Sequence, residues 1–81
     1  MTMENQGYKI VDIITTSDNG VVRRGFVLGN NPKLSSPWVT WRFKKEKDET
    51  EFNYFSGNYW RSERNAKRDF YQRVSDSYAD Y

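Results

Sequence analysis

From Tyr8 to Gly57 the apolar positions recur mostly at a spacing of two; beyond Ser62 they recur at three and four. The first regime predicts strands, the second a helix, because side chains alternate faces along a strand and return every 3.6 residues along a helix. YKIVDIITT at 8–16 is rich in β-branched residues, as a strand is. SDNG at 17–20 supplies a hairpin turn, since Asn and Gly both tolerate positive φ. VVRRGFVLG at 21–29 returns as its partner, with Gly25 marking a bulge or the close approach of a neighbouring ring. GNNPKLSSP at 29–37 concentrates turn formers and is expected to be a loop. WVTWRFKK at 38–45 is the third strand, KEKDETE at 45–51 a charged turn, and EFNYFSG at 51–57 the fourth strand.

The change of period is clear from Ser62 onward. Ser62 suits an N-cap and Glu63 a first helical turn. Ala66, Phe70, Val74, Ser77, Tyr78 and Tyr81 then form a stripe at helical spacing, Asp69 is placed to pair with Arg73, and no Gly or Pro interrupts 58–81. The expected fold class is α+β, a four-stranded antiparallel β-meander with one C-terminal α-helix packed on the sheet. A small SH3-like barrel plus helix is the alternative if residues 58–61 continue the sheet. The expected organisation is a flexible N-terminal lead at 1–7, then a single ββββα domain at 8–81.

Composition tightens this picture. A chain of 81 residues has room for one domain. With only 36% of residues hydrophobic, the aromatics, 17% of the chain, must supply much of the buried area. The net charge of +2 is unevenly spread: residues 21–47 hold seven basic groups against Glu46 alone, whereas Asp48, Glu49 and Glu51 form an acidic run. The longest early apolar run, IVDII at 10–14, is too short for a signal core or a membrane span, so a cytoplasmic protein is expected.

Chemistry is sparse. There is no His and no Cys, which removes His-based triads, thiolate nucleophiles and Cys/His zinc sites. No glycine pattern resembles a phosphate-binding loop, and Asp48, Glu49 and Glu51 lack the ligand spacing of a calcium loop. No cofactor, metal or membrane partner is expected, and the chain is not expected to be an enzyme.

Binding remains. With Val39, Trp41 and Phe43 building the core, alternation turns Trp38, Arg42 and Lys44 to the other face as candidates for partner contact. The stretch FNYFSGNYWRSER at 52–64 carries five aromatics that one strand face cannot hide, so Phe55, Tyr59 and Trp60 join that set. Arg61, Arg64 and Arg68 lie close together opposite the apolar stripe and are candidate anion-binding residues.

The half of the chain carrying W-V-T-W, an aromatic strand ending near Gly and Tyr, and A-x-x-D-F-x-x-R (Ala66, Asp69, Phe70 and Arg73) resembles small proteins of Gram-positive bacteria and their phages or mobile elements. The likeness spans residues 38–74. It implies a cytoplasmic accessory protein that modulates a host or phage complex, with Phe70 as a core anchor and Asp69 as the partner of Arg73. The expected function is a small interaction module whose partner is another protein or a second copy of itself. Nucleic-acid binding through an aromatic and basic sheet face is the alternative.

Overall fold

The computed structural model describes residues 3–79, so the first two residues of the expected lead, and Tyr81 of the expected helical stripe, lie outside the described residues. Five antiparallel strands follow in chain order: β1 (Glu4–Asn5), β2 (Tyr8–Asp18), β3 (Val22–Asn30), β4 (Trp38–Glu46) and β5 (Asn53–Trp60). Helix α1 (Glu63–Ala79) closes the chain. The sheet curls into a half-barrel with the helix packed on it, so the fold is α+β.

Five strands replace the expected four. The extra one, β1, falls within the segment read as a lead. Gln6 and Gly7 turn the chain at positive φ (52° and 84°), setting Glu4 opposite Lys9 and Asn5 opposite Tyr8. A backbone bond from Ile10 N to Met3 O, 2.8 Å, ties the pair further. Residues 58–60 do continue the sheet, as part of β5, yet the fifth strand comes from the other end of the chain.

The β2–β3 hairpin forms as expected but by different turn chemistry. Only Gly20 takes positive φ; Asn19 instead accepts from Val21 N and Val22 N through Oδ1 at 2.9 and 2.8 Å. Gly25 fulfils both readings of it. The β2 register shifts between Thr15 and Ser17 beside it, and a Cβ there would come within 2.7 Å of the Phe43 ring and 2.0 Å of the Ile14 carbonyl.

Both sheet faces are buried, which is why β3 has an unbroken buried run from Gly25 to Gly29. On the inside of the curl, Tyr8, Val27, Val39, Trp41 and Phe43 pack with Ile10, Ile13, Phe52 and Tyr54. Tyr8 meets Trp41 edge to face, ring centroids 5.6 Å apart. On the other face, Phe26 and Leu28 take Ala66 and Phe70 of the helix, flanked by Ile14, Trp38, Trp60 and Val74. Helix α1 therefore covers the Trp38–Thr40 face, and Val39, Trp41 and Phe43 are buried by the sheet curling over them.

The helix starts where its cap predicts, with Asn65 N donating to Ser62 Oγ at 3.2 Å. Along the apolar stripe Ala66 and Phe70 are fully buried, but Tyr78 is half exposed. Twelve residues at 100° each carry Tyr78 about 120° away from Ala66 and off the buried face. No helix among the described residues is long and apolar enough to cross a membrane.

Candidate functional site

Strand register builds one surface that the linear sequence keeps apart. Pairing of β3 with β4 sets Arg24 opposite Lys44 and Phe26 opposite Arg42; pairing of β4 with β5 sets Arg42 opposite Phe55. These residues share the face on which the helix sits, beyond the part that Phe70 and Ala66 cover. The Arg42 guanidinium lies 5.8 Å from the ring centroids of both Phe26 and Phe55, a cation between two aromatic rings.

From the helix, Arg73 reaches the same place. Its guanidinium stands 5.4 Å from the Phe26 ring, donates from Nη1 to Thr40 O at 3.2 Å and Thr40 Oγ1 at 3.1 Å, and donates from Nη2 to Ser56 O at 2.7 Å. The Thr40 hydroxyl, fully buried, donates to Asp69 Oδ2 at 2.5 Å, and Asn58 Nδ2 donates to the same oxygen at 3.1 Å. Asp69 and Arg73 are therefore joined through Thr40; the direct helix pair expected from their spacing is replaced by two charge-assisted bonds to one buried hydroxyl. Burial pushes the Arg73 pKa down, with the Asp69 carboxylate opposing and the nearby Arg42 charge adding to the shift.

Two adjoining cavities share Phe26, Arg42 and Ser77 and together form one groove. The first, about 260 Å³, lies against Arg73 and Asp76; the second, about 310 Å³, extends past Arg24, Thr16, Ser17 and Phe55. Three cations line it, Arg24, Arg42 and Arg73, and Lys44 stands beside it, opposite Arg24. Their counter-charges are few. Glu46 pairs with Lys44 at 3.0 Å, and this contact holds the Glu46 carboxyl below its usual range. Asp76 accepts from Gln72 Nε2 at 2.8 Å, while Ser77 Oγ donates to the Val74 carbonyl at 2.7 Å. Asp76 and Ser77, the polar groups of the helix wall, are thus engaged locally. What the groove offers is positive charge beside an open aromatic edge.

Of the residues expected to contact a partner, the structure brings Arg42, Lys44 and Phe55 together here, Phe55 being 41% exposed. Trp38 and Trp60 lie outside the groove. They lie opposite each other in register and pack half-buried against the Leu28–Phe70 cluster, and the Trp60 indole Nε1 is buried with no hydrogen-bond partner. Both are packing residues, because the helix sits on their face. Tyr59 is exposed but points to the inside of the curl, near Tyr8 and Trp41. Arg61, Arg64 and Arg68 are exposed, and none of them lines the groove.

Arg24, Phe26 and Arg73 join the site although the sequence did not single them out for binding. The signal for Arg24 is a register: counting outward from the loop between β3 and β4, where Asn30 faces Trp38, places Arg24 against Lys44, two like charges across a strand pair. Among the described residues no three acidic side chains gather as a metal site would require. Comparison with protein-family models, with curated proteins and with solved structures returns no match.

Proposed function

We propose that this chain is a small non-enzymatic binding module that holds an acidic segment of a partner protein in the groove between α1 and strands β3 to β5. The observation that carries this reading is the pairing of Arg24 with Lys44, directly opposite on one face. Like charges so placed destabilise a sheet, by roughly 0.2–1 kcal/mol on the scale of cross-strand pairs. Glu46, paired with Lys44 at 3.0 Å, offsets part of this repulsion, and Arg42 and Arg73 add two more cations a few residues away. A carboxylate-bearing segment removes that repulsion on binding. Phe55 gives such a segment an apolar anchor beside the charges, the mixture of aromatic and Arg that dominates protein interfaces.

A single strand of nucleic acid fits less well. Successive bases stack on successive exposed rings, and of the three rings that line this groove Phe26 and Phe43 are buried, leaving Phe55 alone.

The test uses a fluorescein-labelled peptide alternating glutamate with phenylalanine and leucine, and a labelled oligothymidylate, in fluorescence anisotropy titrations over a range of salt. Arg42→Glu is expected to abolish peptide binding. Arg24→Thr is expected to weaken it several-fold while raising folding stability by about 0.5 kcal/mol, through relief of the cross-strand repulsion. Equal peptide binding by Arg42→Glu sinks the proposal. Tighter binding of the oligothymidylate, with a logarithmic salt slope near 0.7 per phosphate neutralised, transfers the groove to nucleic acid. Light scattering on the free protein reads a third outcome: a stable dimer that Arg42→Glu dissolves assigns the groove to a second copy.

A further inference from the structure

The half-barrel leaves a second feature that the groove does not use. Its two edge strands, β1 and β5, are not hydrogen-bonded to each other, although the curl brings them near. At one end the seam is drawn together, with Tyr59 Oη donating to Gln6 Oε1 at 3.5 Å and the Tyr8 and Tyr59 rings 6.0 Å apart. At the other end it gapes. A cavity of about 450 Å³ there is lined by Met3, Glu4 and Asn5 on one side and by Thr50, Glu51, Phe52 and Tyr54 on the other.

Strand direction explains why the seam stays open and what closes it. All four pairings in the sheet are antiparallel, so β1 and β5 run the same way. Direct closure would require a parallel pair, the weaker ladder. One additional strand running against both makes an antiparallel pair on each side and completes a six-stranded barrel, removing both edges. Its useful length is set by β5. Ser56, at φ 55°, and the register shift between Thr40 and Arg42 interrupt the ladder, so the open edge runs from Asn53 to Phe55. At about 3.3 Å per residue that edge accepts a short extended segment.

The lining specifies the chemistry. Phe52 and Tyr54 are only partly buried and point into the curl, offering rings to an inward-facing apolar side chain. The charged side chains on the cavity wall are Glu4 and Glu51; no Lys or Arg lines it. We infer that the seam between β1 and β5 is a strand-acceptor site for an extended segment of a partner protein that alternates apolar and basic residues. Backbone pairing to β5 and β1 holds the segment, as in other β-strand additions. Its apolar residues cover Phe52 and Tyr54, and its Lys or Arg meet Glu4 and Glu51. The site shares no lining residue with the basic groove, so one chain presents two surfaces of opposite charge.

The probe is a short fluorescein-labelled peptide alternating lysine with valine, read by anisotropy and by amide hydrogen exchange. Binding is expected, with slowed exchange at the β5 amides that point away from β4 and at Glu4 and Asn5. Glu51→Lys, an exposed change outside the strands, is expected to weaken binding about tenfold by placing like charges together, and Glu4→Lys to act in the same direction. A glutamate–valine isomer is expected not to bind, and Arg42→Glu to leave the lysine–valine peptide unaffected, separating this site from the groove. The inference is overturned if the lysine–valine peptide fails to bind, if Glu51→Lys binds it equally, or if β5 exchange does not slow. Protection of the same amides that grows with protein concentration alone also overturns it, by assigning the seam to a second copy.

Discussion

Replacing Thr40 by valine tests whether the buried hydroxyl, and not merely the volume at that position, holds α1 on the sheet. Valine matches threonine in shape and is the more apolar, so burial alone favours the substitution at a fully buried site. The hydroxyl argues the other way. It donates to Asp69 Oδ2 at 2.5 Å and accepts from Arg73 Nη1 at 3.1 Å, both charge-assisted contacts. Bonds to charged groups contribute roughly 1.5–3 kcal/mol each, and an unsatisfied partner keeps its desolvation cost. Neither partner is fully stranded, however. Asp69 retains Asn58 at 3.1 Å, and Arg73 retains the carbonyls of Thr40 and Ser56 at 3.2 and 2.7 Å. The lower end of that range for two bonds, less a fraction for those remaining partners, gives a net loss of about 2–3 kcal/mol. For a domain of this size that lowers Tm by roughly 10–20 °C. Urea unfolding followed by tryptophan fluorescence measures it, and an unchanged m-value is required for the comparison. Thr40→Ser supplies the control: it keeps both bonds and loses one methyl, about 1 kcal/mol. Valine is therefore expected to be worse than serine. The reverse order, or a valine variant as stable as the parent, refutes the claim that this network fastens the helix.

Further outcomes follow from the backbone and from titration. Gly25→Ala is expected to cost more than about 3 kcal/mol by urea midpoint, because its Cβ meets a backbone carbonyl at 2.0 Å that cannot move aside. Gly20→Ala, with open space around it but φ at +85°, is expected to cost only about 1 kcal/mol. Ser62→Ala removes the helix cap and is expected to lose about 1 kcal/mol in the same assay. Burial raises the pKa values of Tyr8 and Tyr54 above their ordinary 10.0, with the Tyr59 charge adding to the effect at Tyr8. Below that pH both phenols are protonated whether the chain is folded or unfolded, and they give stability no pH dependence. Above it the unfolded chain releases these protons first, so stability is expected to fall until the folded-state values are passed. Denaturant midpoints over alkaline pH, with phenolate absorbance read in parallel, check this; a midpoint that rises there contradicts the assigned burial.

Much of the architecture follows from alternation and caps, and the parts that do not have identifiable reasons. Strands β2 to β5 carry enough β-branched and aromatic residues at period two to locate themselves, and Ser62 with the change of period starts α1. Strand β1 has no such pattern, because two residues, Glu4 and Asn5, cannot display one; the turn at Gln6 and Gly7 creates it. Which face the helix covers was equally hidden. In β4 both Trp38 and the Val39–Trp41–Phe43 set are apolar, and period two separates the faces without ranking them. The choice lies with the helix stripe: Ala66 and Phe70 find Phe26 and Leu28, and curling of the sheet buries the other set. For the site, Arg42, Lys44 and Phe55 were legible as exposed or charged strand positions. Arg24 and Arg73 were not, since one depends on cross-strand register and the other on a contact between helix and sheet.

The double burial of the sheet bears on function as well. A chain with 36% hydrophobic residues builds two apolar clusters, one under the helix and one inside the curl, by setting the rings of Tyr8, Phe26, Trp41 and Phe43 among Val27, Leu28 and Val39 and flanking them with half-buried rings. That uses both Trp38 and Trp60, the residues that otherwise suggest an aromatic contact face, and leaves no broad apolar sheet surface for a partner. The surfaces still open are where the pattern conflicts with stability: Arg24 facing Lys44, and two edge strands whose parallel sense prevents them from closing on each other. Local choices that disagree with the fold mark sites kept for something other than folding. In this chain the two disagreements carry opposite charge and border cavities with no lining residue in common, so they are separable by mutation, Arg42→Glu acting on one and Glu51→Lys on the other.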